Sequence, residues 1–86
     1  MPYHEVEIPK GEYGELSKVQ EELLEAMDAD KRGHDIMLLI ELSDLVGAVA
    51  GVAEKRFGFS IEQLVKFAKL RSSVAREELY NNVQNK

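Results

Sequence analysis

Cysteine is absent from this chain, so no disulfide can hold a small fold together. Proline occurs twice, as Pro2 and Pro9, and with no sustained periodicity around them residues 1–11 read as an extended arm. The opening MPYHEVEIPK has no basic segment followed by an apolar run and a cleavage site, so nothing suggests export. A cytoplasmic protein is the default expectation. No period-two alternation, internal repeat or low-complexity segment competes with a helical reading. A basic footprint is missing too: the net charge of -5 and pI near 5.0 argue against a nucleic-acid binder. At 86 residues this is one small domain, able to bury only roughly 60–65% of its unfolded surface. Without disulfides, the remaining staples are a metal or self-association.

What is there is concentrated between Ile36 and Ala53, IMLLIELSDLVGAVAGVA. The segment reads as a helix apolar on nearly every side, and such a helix is normally buried. It nonetheless carries two carboxylates, Glu41 and Asp44. Buried carboxylates are expensive unless paired, protonated or coordinated to a metal. A membrane span is the other reading of such a run. Acids near its middle would each cost about 3 kcal/mol on insertion, and no aromatic belt flanks it, so no membrane is expected.

Three helices follow from the periodicity. The first starts between Glu12 and Glu15 and runs to about Ala29, with Leu16, Val19, Leu23 and Met27 on one stripe. Asp30 to Gly33 is a polar stop. The second runs from about Asp35, as N-cap, to Arg56. Ser60 and Gln63 form a capping box, which starts the third helix at Ile61. The helical domain ends near residue 80, before a frayed tail at 81–86. The fold class expected is all-α, a helical hairpin plus a third helix.

Upstream of the apolar helix, KVQEELLEAMD supplies a second carboxylate pair, Glu22 and Glu25. Each pair has i,i+3 spacing, which puts its members on one helix face. Fifteen residues separate the pairs, Ala26 to Ile40, with the polar turn between them. A hairpin closed at that turn brings Glu22, Glu25, Glu41 and Asp44 to one level. Oxygen donors in that number suit a hard divalent cation, magnesium or manganese, which typically shares its shell with substrate phosphates. Glu21 and Asp28 read as a solvated acidic face, Glu21 pointing about 100° from Glu22. His4 and His34 have no partner at zinc spacing.

Charge is uneven between helices. Glu12 to Ala29 holds six acids and one base, Lys18, whereas Ile61 to Arg76 holds four bases and one acid. Lys66, Lys69 and Arg76 share a face of the third helix. An acidic metal cradle opposed to a basic helix suits polyphosphate, the bases neutralising what the metal leaves uncompensated.

These residues carry a resemblance. KVQEELLEAMD followed by IELSDLVGAV resembles the ExxE–ExxD signature of the MazG-like, all-α nucleoside triphosphate pyrophosphohydrolases, and FGFSIEQLVKFAKLRSS looks like the third helix of short members. The likeness covers about residues 11 to 76. It implies magnesium held by Glu22, Glu25, Glu41 and Asp44, and hydrolysis of an NTP or dNTP to the monophosphate and pyrophosphate. Glu22 or Glu25 would orient or deprotonate the attacking water. The family's basic pair, a Lys and an Arg one turn apart, maps onto Lys69 and Ser73, so the second base is missing and Arg76 or Lys66 must substitute. A phosphoribosyl-ATP pyrophosphatase-like enzyme and a non-catalytic helical nucleotide- or partner-binding module are the alternatives.

Three helices cannot cover a helix as apolar as Ile36–Ala53. A homodimer or dimer of dimers is therefore expected, as the resemblance also implies, with the nucleotide site completed by a second subunit. Val46, Gly47, Val49, Ala50 and Val52 are the expected contacts, Gly47 and Gly51 permitting close helix approach. Tyr13, Phe57, Phe59 and Phe67 read as packing residues more readily than as base-stacking groups.

Overall fold

The computed structural model describes residues 7–84, without the side chains of residues 75 and 78–84. His4 and most of the expected arm lie outside the described residues, as does the end of the expected tail, 85–86. Three helices make up the fold: α1 (Leu16–Lys31), α2 (Asp35–Phe57) and α3 (Ile61–Gln84). No strand occurs among the described residues.

The α1–α2 turn is closed by backbone bonds from Arg32 N–H to the Asp28 carbonyl and from Gly33 N–H to the Asp30 carbonyl, at 3.1 and 3.0 Å. Gly33 has φ +72°, a conformation glycine adopts without steric cost. α2 begins one residue earlier than a cap at Asp35 requires: His34 takes the N-cap position and Asp35 is the first helical residue. Its charge still favours the helix N-terminus. α2 ends at Gly58, left-handed at φ +68°. The capping box forms as the sequence predicts, with Ser60 N–H donating to Gln63 Oε1 at 2.8 Å and Gln63 N–H to Ser60 Oγ at 3.2 Å. α3 continues through 81–84 instead of fraying at residue 81. No glycine or proline follows Gly58, so nothing in the sequence breaks it.

α1 lies antiparallel along α2. Glu15 at the start of α1 pairs with Lys55 and Arg56 near the end of α2, while Glu22 meets Glu41 and Asp44 at mid-helix. The buried apolar residues at this seam are small: Ala26, Ala29, Ala48, Val52 and Ala53. Small side chains bring the helix axes close and shorten the reach between facing carboxylates. α3 leaves the end of α2 and, among the described residues, packs mainly against that helix, joined through edge-to-face contacts of Phe59 with Phe57 and Phe67, each at 6.4 Å. The outline is elongated, 55 × 33 × 19 Å.

Much apolar surface remains open. No large side chain among the described residues is fully buried, and Ile36 is 80% exposed. Leu39, Leu42, Val46 and Val49, at alternating spacings of three and four, form an exposed stripe along α2. Such a stripe is what a helix–helix seam requires. Tyr13 and Phe57 are also exposed, Phe57 while making its edge-to-face contact with Phe59 and Tyr13 while lying against Gly51. Val52, in contrast, is buried within the protomer and is not available to a second subunit. By length and composition α2 is apolar enough to cross a membrane, and 28% of its apolar window is buried in the protomer.

Candidate metal centre

Four acids of the two expected pairs meet across the α1–α2 seam. Carboxylate oxygens of Glu22, Glu41 and Asp44 lie within 4.8 Å of one another, and so do those of Glu21, Glu22 and Glu25. Glu22 belongs to both groups and links them. Glu22 and Glu41 are buried, at 6% and 5% exposure, whereas Asp44 is exposed. The cluster therefore has an interior floor and a solvent-facing edge.

Glu21 corrects the sequence reading. It is buried at 3% exposure and is no part of a solvated face. The arm folds back over it: Gly11 N–H donates to Glu21 Oε1 at 2.7 Å, and Lys10 Nζ approaches Oε2 at 3.8 Å. A 100° step around the helix does not expose a residue when another segment covers that direction. Asp28 is likewise buried, in an ion pair with Arg32 at 3.4 Å.

Lys18 sits inside the cluster, a role its solitary place on an acidic helix did not announce. Its Nζ lies 3.1 Å from Glu21 Oε2 and 3.3 Å from Glu22 Oε1. The i,i+3 and i,i+4 spacings to Glu21 and Glu22 were the available signal. Lys18 satisfies one oxygen of Glu22. The other, Oε2, is buried and accepts no hydrogen bond. A buried carboxylate oxygen without a donor is costly. It is also the donor that a cation needs.

Titration separates these acids into two kinds. Burial pushes the Glu22 carboxyl above the ordinary range, and the neighbouring Glu25 charge adds to this. Burial raises Glu25 as well, reinforced by its hydrogen bond to Glu41 and by the Glu41 charge. Glu21 goes the other way: burial pushes it up, but the Gly11 N–H and Lys18 more than offset this and hold it below the ordinary value. In the metal-free protein, Glu22 and Glu25 bind more protons folded than unfolded. Their contribution to stability therefore falls as pH rises from the ordinary glutamate value of 4.5 through their raised folded values. Glu21 contributes stability above 4.5 that is lost as pH falls through its lowered value.

An opposite response to substitution is expected. At pH 7, without metal, Glu22→Gln and Glu25→Gln should hold or raise the melting temperature. Glu21→Gln should lose about 1–3 kcal/mol, the cost of unsatisfying buried polar groups. Thermal melts by circular dichroism across pH 4.5–7.5 check this, and a uniform loss for all three variants would contradict it.

Beside the cluster opens a cleft of about 290 Å³, lined by Tyr13, Lys18, Glu22, Ser43, Asp44 and Gly47 among others. Nothing lies within 4 Å of where a Gly47 Cβ would be, so this glycine keeps the cleft wall open instead of admitting a close helix in the protomer. Gly51 makes room for Tyr13: a Cβ there would fall 2.8 Å from Tyr13 Cζ.

Among the described residues, the α3 bases have neighbours other than the acids. Lys66 borders a separate hollow with Phe59 and Phe67, and Arg76 is bonded to Ser72 Oγ at 3.1 Å. Lys69 is exposed on the same helix.

Comparison with known proteins adds no assignment: no family model, curated protein or solved structure matches the chain.

Proposed function

We propose that this protein is a magnesium-dependent nucleotide pyrophosphohydrolase, hydrolysing an NTP or dNTP to the monophosphate and pyrophosphate, of the MazG-like kind. The observation that carries this reading is the convergence of Glu22, Glu41 and Asp44 within 4.8 Å, with a buried Glu22 oxygen that accepts no hydrogen bond. An acidic surface patch has no reason to bury its oxygens against an apolar helix. All-oxygen donors of mixed burial, beside an open cleft, fit magnesium or manganese and leave part of the shell for water and phosphate.

Glu22, Glu41 and Asp44 would hold the ion, with Glu25 completing the set. A bound divalent ion would supply Lewis acidity and charge neutralisation at the phosphates. Glu25, poised by its raised proton affinity, takes the proton of the attacking water as oxygen bonds to the α-phosphorus. The bond to the bridging oxygen breaks, and pyrophosphate leaves with that electron pair. Lys18, which lines the same cleft and pairs with Glu22, would supply positive charge for the phosphates.

The site is built for a second subunit. Lys66 and Arg76 are set among other neighbours on α3, and the Leu39–Val49 stripe is uncovered. A homodimer or dimer of dimers buries that stripe and lets α3 of one protomer approach the cleft of its partner. This also accounts for α2 as the core helix of a cytoplasmic assembly and not a membrane span, since Glu41 turns toward the acids of α1.

A panel of NTPs and dNTPs with magnesium, read as pyrophosphate release, tests the reading. Metal-dependent release of pyrophosphate with the matching monophosphate is the expected result. Release of orthophosphate, or none from any nucleotide, would refute it.

A further inference from the structure

Tyr13 is the exposed aromatic residue that borders the acidic cleft. Phe57, Phe59 and Phe67 gather instead at the α2–α3 corner. Tyr13 is 68% exposed, yet its position is fixed from several sides. Its phenol end lies over Gly51, where any side chain would collide with the ring. The turn that carries it is closed by Glu15 N–H donating to the Glu12 carbonyl at 3.0 Å. Glu12 N–H donates to Ser17 Oγ at 3.1 Å and Gly11 N–H to Glu21 Oε1 at 2.7 Å, and Glu15 is paired to Lys55 on α2. The turn is thus tied to both helices, and the ring it presents is held while staying open to solvent.

A core aromatic would be buried, and an incidental surface aromatic would not be seated over a glycine at the rim of a charged cleft. Glu22, Asp44 and Lys18 line the same cleft as Tyr13. A ligand with an anionic end for the acids and their cation, and a planar end for the ring, matches this set of groups.

We propose that Tyr13 is the platform on which the base of the nucleotide stacks, so that the cleft selects nucleoside triphosphates over inorganic polyphosphates. This rests on the reading of the carboxylate cluster as a metal–polyphosphate site. Stacking on an aromatic side chain depends on a π-face and tolerates different bases. The cleft therefore favours aromatic bases as a class, and discrimination among them comes from elsewhere.

The test compares the full-length wild type with Tyr13→Ala and Tyr13→Phe, each with manganese, binding a non-hydrolysable ATP analogue or inorganic tripolyphosphate by calorimetry. Tyr13→Ala should weaken the nucleotide analogue about tenfold or more, within the range of aromatic–base stacking. It should leave tripolyphosphate affinity unchanged, and Tyr13→Phe should restore the nucleotide affinity. Equal loss for both ligands in Tyr13→Ala, with an unaltered melting temperature, would assign Tyr13 to the phosphate end and overturn the platform. No change for either ligand would overturn it while leaving the polyphosphate site standing. If wild type binds neither, both the platform and the site reading fall.

Discussion

Glu22→Ala, Glu41→Ala and Asp44→Ala should each reduce magnesium-dependent pyrophosphate release about 100-fold or more, while the metal-free fold holds. Altering residues that merely support metal ligands typically costs 10–100-fold, so removing a ligand should cost at least the upper end. The reason lies in the division of the cluster. Glu22 and Glu41 are buried at the seam, and Asp44 stands at its open edge. Glu25→Ala should lose turnover to a similar degree while retaining more of the metal affinity, because Glu22, Glu41 and Asp44 converge without it. Asp28→Ala removes an ion pair with Arg32 outside the cluster and should cost stability while leaving most of the turnover per folded molecule. Glu21→Ala is intermediate. Its oxygens adjoin those of Glu22 and Glu25, but it is engaged by the arm and Lys18, so its loss should unseat residues 10–11 and free Lys18. Steady-state assays on refolded, melt-checked variants separate these outcomes. A common loss for all six acids would mean that the register assigned to the site is wrong.

Self-association is the second large effect. The protein should sediment as a dimer or tetramer at micromolar concentration, since the apolar residues left exposed on α2 and α3 exceed what a stable monomer usually tolerates. A two-fold arrangement pairs the same patch with itself. Val46→Asp places a charge in the middle of the exposed stripe and should dissociate the assembly, with activity falling alongside. Gly47→Leu reports on something different. Because the space beside Gly47 belongs to the cleft, this variant should lose activity while keeping much of its assembly. Sedimentation velocity and scattering on both variants check the pair. A wild type that runs as one 9.7 kDa species would sink the assembly.

The hairpin was readable because three local signals agreed: a 3.6-residue apolar period, a polar turn ending at Gly33, and a capping box at Ser60. The meeting of Glu22 with Glu41 and Asp44 followed from equal distances to that turn. What the pattern did not reveal came from contacts between segments far apart in sequence. Glu21 is interior because residues 10–11 fold over it, and helical phase carries no information about a covering arm. Lys18 looked like a stray base on an acidic helix, and its place in the cluster depends on which way the i+3 and i+4 acids turn. Gly51 was assigned to helix packing on composition, whereas the residue it accommodates is Tyr13, 38 positions earlier. The basic face of α3 was legible as a face, but its distance from the acids was not, because that distance depends on how α3 leaves Gly58.

Direct titration of manganese into metal-free wild type and Glu41→Gln, followed by electron paramagnetic resonance, tests the central claim most closely. Wild type should remove the free-ion signal with saturable stoichiometry per protomer, and saturating metal should raise the melting temperature by mass action, about 2.7 kcal/mol of stability at 100 times Kd. Glu41→Gln should leave the ion free while melting no lower than wild type without metal. Equal, weak and non-saturating retention of manganese by both proteins would contradict the metal centre.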